Sequence, residues 1–174
     1  MLGVLSNLVM RFRLKEKLKL ISSQSKEVKR KFKSLLIICF EEESNDKIFF
    51  LKIAKQLSIM PKMITLVVLS KKELVEKKQT PFGTYFISRK SIDFFGKLPD
   101  SSAELFKKKF DIQFNYFKGY SVFSELVSAS CQSKIRVGFS KSNQQINDLI
   151  LDINLKQHKL FLKEINTYLN ALIK

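Results

Sequence analysis

Two uninterrupted apolar runs, SLLIICF at residues 34–40 and MITLVVLS at residues 63–70, constrain this chain more than any other feature. Each is short and rich in branched aliphatic side chains, and neither shows the polar alternation of a half-exposed strand. Such a run is a strand covered on both faces, which requires a layer above it and a layer below. Between the two, Ile48, Phe49, Leu51, Ile53, Ala54 and Leu57 recur at helical spacing. Ser44, Asn45 and Asp46 precede that helix as a cap, and Pro61 follows as a stop. Strand, helix and strand in this order make a βαβ unit, hence a parallel pair.

The alternation resumes after residue 110. Strands are predicted over 110–117 (FDIQFNYF), 134–139 (KIRVGF) and 148–153 (containing DLILDI), with a helix over 121–130. A closing helix over 157–173 carries Leu160, Phe161, Ile165, Tyr168, Leu169 and Leu172 on one face. Residues 71–100 are less regular. Tyr85, Phe86 and Ile87 read as a short strand, and Asp93, Phe94, Phe95 and Gly96 as a surface turn with its rings tucked inward. Ser101, Ser102, Ala103 and Glu104 read as a capping box that opens a short helix. The expected class is α/β: a three-layer sandwich around a mostly parallel sheet of about five strands.

What precedes this body is different in kind. Residues 1–33 hold ten basic side chains against Glu16 and Glu27, half of the chain's formal charge of +16. Leu5, Leu8 and Phe12 follow at helical spacing, but Leu14, Leu18 and Ile21 fall on a nearly opposite face. The pattern predicts either a bend near residue 13 or a helix that touches two different things. The expected organisation is therefore a basic helical arm over 1–33 and a single α/β domain over 34–174. A Lys-heavy composition, 27 Lys to 5 Arg, also arises from an AT-rich genome, yet that does not place the excess at one end. A cationic arm points to an anionic partner. RNA or a ribonucleoprotein surface such as the ribosome is the leading expectation. The contacts would come from Arg11, Arg13, Lys15, Lys17, Lys19, Lys26, Lys29, Arg30, Lys31 and Lys33. An anionic membrane surface is the alternative, with Leu2, Val4, Leu5, Leu8, Val9 and Phe12 entering the headgroup boundary.

Catalytic signatures are sparse. Glu41, Glu42 and Glu43 follow the first strand, where a dinucleotide fold places a glycine-rich turn and a pyrophosphate. No dinucleotide, no other cofactor and no metal is expected, and a non-catalytic protein is the favoured reading. His158, the one histidine, reads as a solvated surface residue. Lys118, Gly119, Tyr120 and Ser121 form a possible anion site for a small molecule or nucleotide sugar, at the start of a predicted helix. Cys39 and Cys131 lie in separate stretches and frame no disulfide, which fits a reducing, cytoplasmic setting. No basic region precedes the apolar residues 1–10, so they are not read as a secretory signal. The sixteen Phe with no Trp read as core filling.

The succession FDIQFNYF, SELVSASCQSK, KIRVGF and NDLILDI, with the SIDFFGKLPD turn, resembles a family of short uncharacterised bacterial α/β proteins. That resemblance extends over most of the chain and implies no activity. Residues 105–141 also resemble part of the N-terminal half of heptosyltransferase-type glycosyltransferases. Such enzymes need a second nucleotide-sugar domain for which this chain has no room, so the likeness implies a scaffold only.

Overall fold

The computed structural model describes residues 2–23, 31–72, 81–118 and 121–173, with side chains for all of these except 2–4 and 170–173. Five helices and six strands follow in the order α1 (Leu2–Ser22), β1 (Leu35–Phe40), α2 (Lys47–Gln56), β2 (Ile64–Ser70), β3 (Gly83–Ser88), α3 (Ala103–Lys107), β4 (Lys109–Tyr116), α4 (Val122–Ser130), β5 (Gln132–Phe139), β6 (Leu149–Leu151) and α5 (His158–Ile173). The strands form one sheet in the order β3-β2-β1-β4-β5-β6. Every neighbouring pair is parallel. The strand beyond the expected five is β3, which contains Tyr85, Phe86 and Ile87 and extends the sheet beyond β2.

Alternation along the apolar runs fills both faces. Leu35, Ile37 and Cys39 join the core under α2 and α5, whereas Leu36 and Ile38 join the core under α1 and α4. Phe161 of α5 is fully buried at the centre of the first core. It lies 5.3 Å from Phe49, 5.5 Å from Phe114 and 5.3 Å from Phe139, ring centre to ring centre. The three layers expected from the sequence are present.

The second core differs from expectation at its outermost element. α1 is one continuous helix with no break at residue 13. Met10, Leu14 and Ile21 are buried with Leu36, Val67, Leu126 and Val127, and Leu18 packs partly against them. Residues 10, 14, 18 and 21 make a proper helical stripe. Leu5, Leu8 and Phe12 mask it in the sequence because they form a second stripe on the far side. Two side chains fasten the helix further. Arg89 donates to Ser6 Oγ at 2.9 Å and Asn7 Oδ1 at 3.2 Å, and Arg13 Nε donates to the Phe95 carbonyl at 3.3 Å. The N-terminal helix is thus a wall of the domain, not an arm reaching away from it.

Local capping also departs from expectation. Ser102 is buried and makes no side-chain cap, so the capping box does not form. Asp46 precedes α2 without capping it, because its carboxylate turns to the Tyr116 hydroxyl at 3.2 Å.

Under α4 the sheet is polar. Gln113 Nε2 donates to Asn115 Oδ1 at 2.9 Å and Ser128 Oγ at 2.9 Å, and Asn115 Nδ2 donates to Asn147 Oδ1 at 2.7 Å. The Ser133 hydroxyl donates to Gln113 Oε1 at 2.7 Å. A β-carbon at Gly138 would collide with Ser142 Oγ and the Asn147 side chain, so glycine lets that loop close over β5.

The chain enters β1 through Asp111, which accepts from the Lys33 amide at 2.7 Å and from Lys134 Nζ at 2.6 Å. Burial alone would raise this carboxyl's pKa. The Lys134 ammonium and the Lys33 and Ser34 groups outweigh it and hold the pKa below its ordinary value. A depressed carboxylate stabilises the fold above its unfolded pKa, and that stability is lost as pH falls through the lower folded value. Asp111→Asn is expected to cost about 1–3 kcal/mol at neutral pH. It should also flatten the acid limb of the stability–pH curve measured by urea unfolding, and an unchanged limb would contradict this account.

Candidate nucleic-acid interface

With its apolar stripe buried, α1 must turn its remaining surface outward. Arg11, Lys15 and Lys19 recur every four residues and are exposed. Four residues of helix advance about 6 Å, so they form a row of cations along one side. Arg13 is exposed and Lys17 half-buried. Among the described residues, the ion pair given to this helix is Arg13 to Glu16 at 3.4 Å, with both side chains about half exposed. Among the described residues, its other cations are not folded against the protein's own acids. Lys31 and Lys33 are exposed as well. Lys26, Lys29 and Arg30 lie outside the described residues.

A second cationic group joins Lys31 and Lys33 to lysines that escaped the sequence reading because they are scattered along the chain. In an all-parallel sheet the residues just before each strand emerge at one edge. Lys31 and Lys33 precede β1, Lys62 precedes β2, and Lys107, Lys108 and Lys109 lead into β4. All six are exposed. The C-terminal end of α1 reaches this same edge, where Ser23 shares a cleft with Gln132 at the start of β5. Acids here are few: Glu104 pairs with Lys107 at 3.1 Å, and Asp111 with Lys134. The outward side of the helix and this end of the sheet are thus both basic.

Aromatic rings lie beside it. Phe12, Phe94 and Phe95 are 62%, 52% and 68% exposed, against the expectation that phenylalanines fill core and that the turn at 93–96 tucks its rings inward. The cause is Gly96, at φ +71°, whose Cα seats on α1. A β-carbon there would stand 3.2 Å from Arg13 Cγ and 3.3 Å from Val9 Cγ1. The backbone of the turn occupies the helix surface, so the two rings point away. They meet edge to face at 5.8 Å.

The opposite edge of the sheet has another character. The strand order reverses between β1 and β4, the place where open α/β sheets commonly receive ligands. A crevice of about 410 Å³ sits there, lined by Glu41, Glu42, Glu43, Lys71, Lys72 and Lys118. Glu41 Oε2 accepts from Ser70 Oγ at 2.9 Å. Burial, then the neighbouring Glu42 and Asp46 charges, raise the Glu43 pKa against its own backbone hydrogen bonds. Carboxylates fill the position a pyrophosphate would need. Of the proposed anion site, Lys118 is exposed and lines this crevice. Ser121 makes no side-chain cap to α4. Gly119 and Tyr120 lie outside the described residues.

His158 is not simply solvated. Its ring stacks on Phe49 at 3.8 Å and 7°, and Nε2 lies 3.1 Å from the Tyr116 hydroxyl and 3.6 Å from Asp46 Oδ2. The Tyr116 hydroxyl donates to the Leu155 carbonyl at 2.9 Å. Burial and then Asp46 push its pKa far up, which keeps it protonated. Burial also keeps the thiols of Cys39 and Cys131 protonated, the latter with its pKa pushed up to about 12. Both cysteines are free. Among the described residues there is no group of three or more His, Cys, Asp or Glu suited to a metal. No described helix is long and apolar enough to cross a membrane.

Residues 7–172 match the family of unknown function DUF6913, and the chain belongs to that family. No curated protein matches the chain, and no solved structure does. The likeness to heptosyltransferases is not among the relationships found.

Proposed function

We propose that this chain, as a member of a family to which no activity is attached, is a non-catalytic protein that binds single-stranded RNA. The RNA can be free or displayed on a ribonucleoprotein such as the ribosome, in the reducing cytoplasm. The observation that carries the proposal is the exposed cationic row Arg11, Lys15 and Lys19, held outward on a helix whose opposite stripe is buried. Lysine and arginine neutralise phosphates and release counterions. The rings of Phe12, Phe94 and Phe95 offer faces on which unpaired bases stack. Single-strand recognition elsewhere combines these two elements, a basic track and sequence-tolerant stacking.

The test is anisotropy of a labelled oligouridine with the full-length protein. Replacing Phe12, Phe94 and Phe95 together by Ala is expected to weaken binding by about 1–3 kcal/mol for each base that stacks. Failure of the wild-type protein to bind would overturn the proposal. Point variants are the proper tool, because removing residues 1–33 would also strip Met10, Leu14, Ile21 and Phe32 from the cores.

A second reading is favoured by one observation: Leu5 and Leu8 are exposed beside Phe12. Apolar side chains flanked by cations suit an anionic lipid surface. Flotation with phosphatidylserine vesicles, lost on Leu8→Asp and accompanied by no RNA affinity, would decide for the membrane.

A further inference from the structure

The most unusual side chain in the molecule is Arg136. It is 1% exposed, the largest of the fully buried residues, and lies on β5 in register with Gln113. Its Nη2 donates to the Cys131 carbonyl at 3.0 Å, at the end of α4. Nε and Nη1 are buried without a hydrogen-bond partner among the described residues. A guanidinium has five N–H donors and keeps its charge in proteins, so leaving most of them unmet is costly. Asp148 accepts from the Arg136 backbone amide and exerts a favourable charge on the side chain, but burial still pulls its pKa down.

This side chain lines a cleft of about 740 Å³ between the C-terminal half of α1, the segment over 96–106 and the end of α4. Four buried side-chain polar atoms lack a hydrogen-bond partner among the described residues. Three of them, Arg136 Nε, Arg136 Nη1 and Ser130 Oγ, belong to residues that line this cleft. Arg13, Lys17 and Lys97 add positive charge at its walls. The one carboxylate of the lining, Asp100, is taken by Lys97 at 3.0 Å. Ser23 and Gln132 also line it, and the rest of the surface is apolar, with Leu20, Leu98 and Phe106 among it. The volume is that of a small-molecule site, in which apolar walls carry convergent polar groups.

We propose that this cleft binds a small organic anion, with phosphate or carboxylate oxygens on the Arg136 guanidinium and an apolar body against Leu20, Leu98 and Phe106. Such a ligand completes the donors that Arg136 leaves unmet and supplies the countercharge the cleft lacks. Ser130 gives a hydroxyl to the same oxyanion. Arg136 itself lies beneath α1, apart from the outward row Arg11, Lys15 and Lys19, while Arg13 and Lys17 border both surfaces. Arg136→Met therefore leaves RNA affinity unchanged.

The test is a titration of full-length ¹⁵N-labelled protein with phenyl phosphate and benzoate, which separate the two anionic groups. Inorganic phosphate and phenol separate the anion from the apolar body. Phenyl phosphate, benzoate or both are expected to shift the Arg136 Nε–Hε resonance and the amides over 126–132 saturably, while phenol does not. Arg136→Met should weaken that binding by about 10–100-fold, the range of hydrogen bonds to a charged group, and Arg136→Lys should restore part of it. Lys159→Ala, on the opposite layer, should change nothing. If Arg136→Met fails to fold, Ala103→Trp at the cleft wall serves instead and should abolish the shifts. The proposal is overturned if neither anion gives a saturable shift at Arg136, if phenol binds as well as phenyl phosphate, or if the folded variants bind unchanged.

Discussion

Raising monovalent salt from about 50 to about 200 mM is expected to weaken RNA binding roughly a hundredfold. The estimate follows from the five basic residues of α1: Arg11, Arg13, Lys15, Lys17 and Lys19. If each meets one phosphate, the logarithmic slope on a single strand is about −0.7 per contact, or about −3.5 in all. Lysines at the sheet edge steepen it further. Changing Arg11, Lys15 and Lys19 together to Glu leaves two of the five, so the slope should fall to about −1.4 or shallower. Affinity at low salt should drop with it, as like charges now face the phosphates. The fold should be unaffected, because all three side chains are exposed. Anisotropy across a salt series reads both quantities. Binding that persists with a flat salt dependence, or that the triple variant leaves intact, would remove the cationic row from the interface.

Leu14→Asp should lower the unfolding free energy by about 3–5 kcal/mol, a large part of what a domain of this size possesses. Leu14 is 6% exposed among Met10, Ile21 and the α4 side chains. The change removes a packed side chain and leaves a carboxyl group in an apolar site. Leu8→Asp, on the same helix but 64% exposed, should stay within about 0.5 kcal/mol of wild type. Chemical denaturation followed by far-UV circular dichroism separates the pair. Equal, small effects would mean that α1 is a tether and not a wall. The contrast also bears on function. A helix fixed at Met10, Leu14 and Ile21 presents its cations without first losing the freedom of a mobile arm.

Strands covered on both sides announce themselves where nearly every residue is apolar, since neither face then alternates with polar positions. Residues 34–40 and 63–70 were legible for that reason, and both became central strands. The basic helix was legible as composition. Its placement was not, because two apolar stripes on one helix nearly cancel in any periodic reading. The exposed rings of Phe94 and Phe95 were misread for a related reason. A phenylalanine in a turn is expected to point inward unless the backbone itself occupies the contact, as Gly96 does against Val9 and Arg13. Beyond Lys31 and Lys33, the basic sheet edge was not read from the sequence. Its lysines lie up to 78 positions apart, from Lys31 to Lys109, and become neighbours only because every strand runs the same way.

Arg136 shows the limit most clearly. In KIRVGF it is a polar residue in an alternating strand, which ordinarily faces water. It faces the end of α4 and the distant α1 instead, since β5 is covered on both sides. Local sequence determined the layer architecture and the sign of the charge, because hydrophobic period and composition are properties of neighbours along the backbone. Which charges face solvent, which one is enclosed, and where aromatic rings are left uncovered depend on distant segments meeting. Only the tertiary structure decided those.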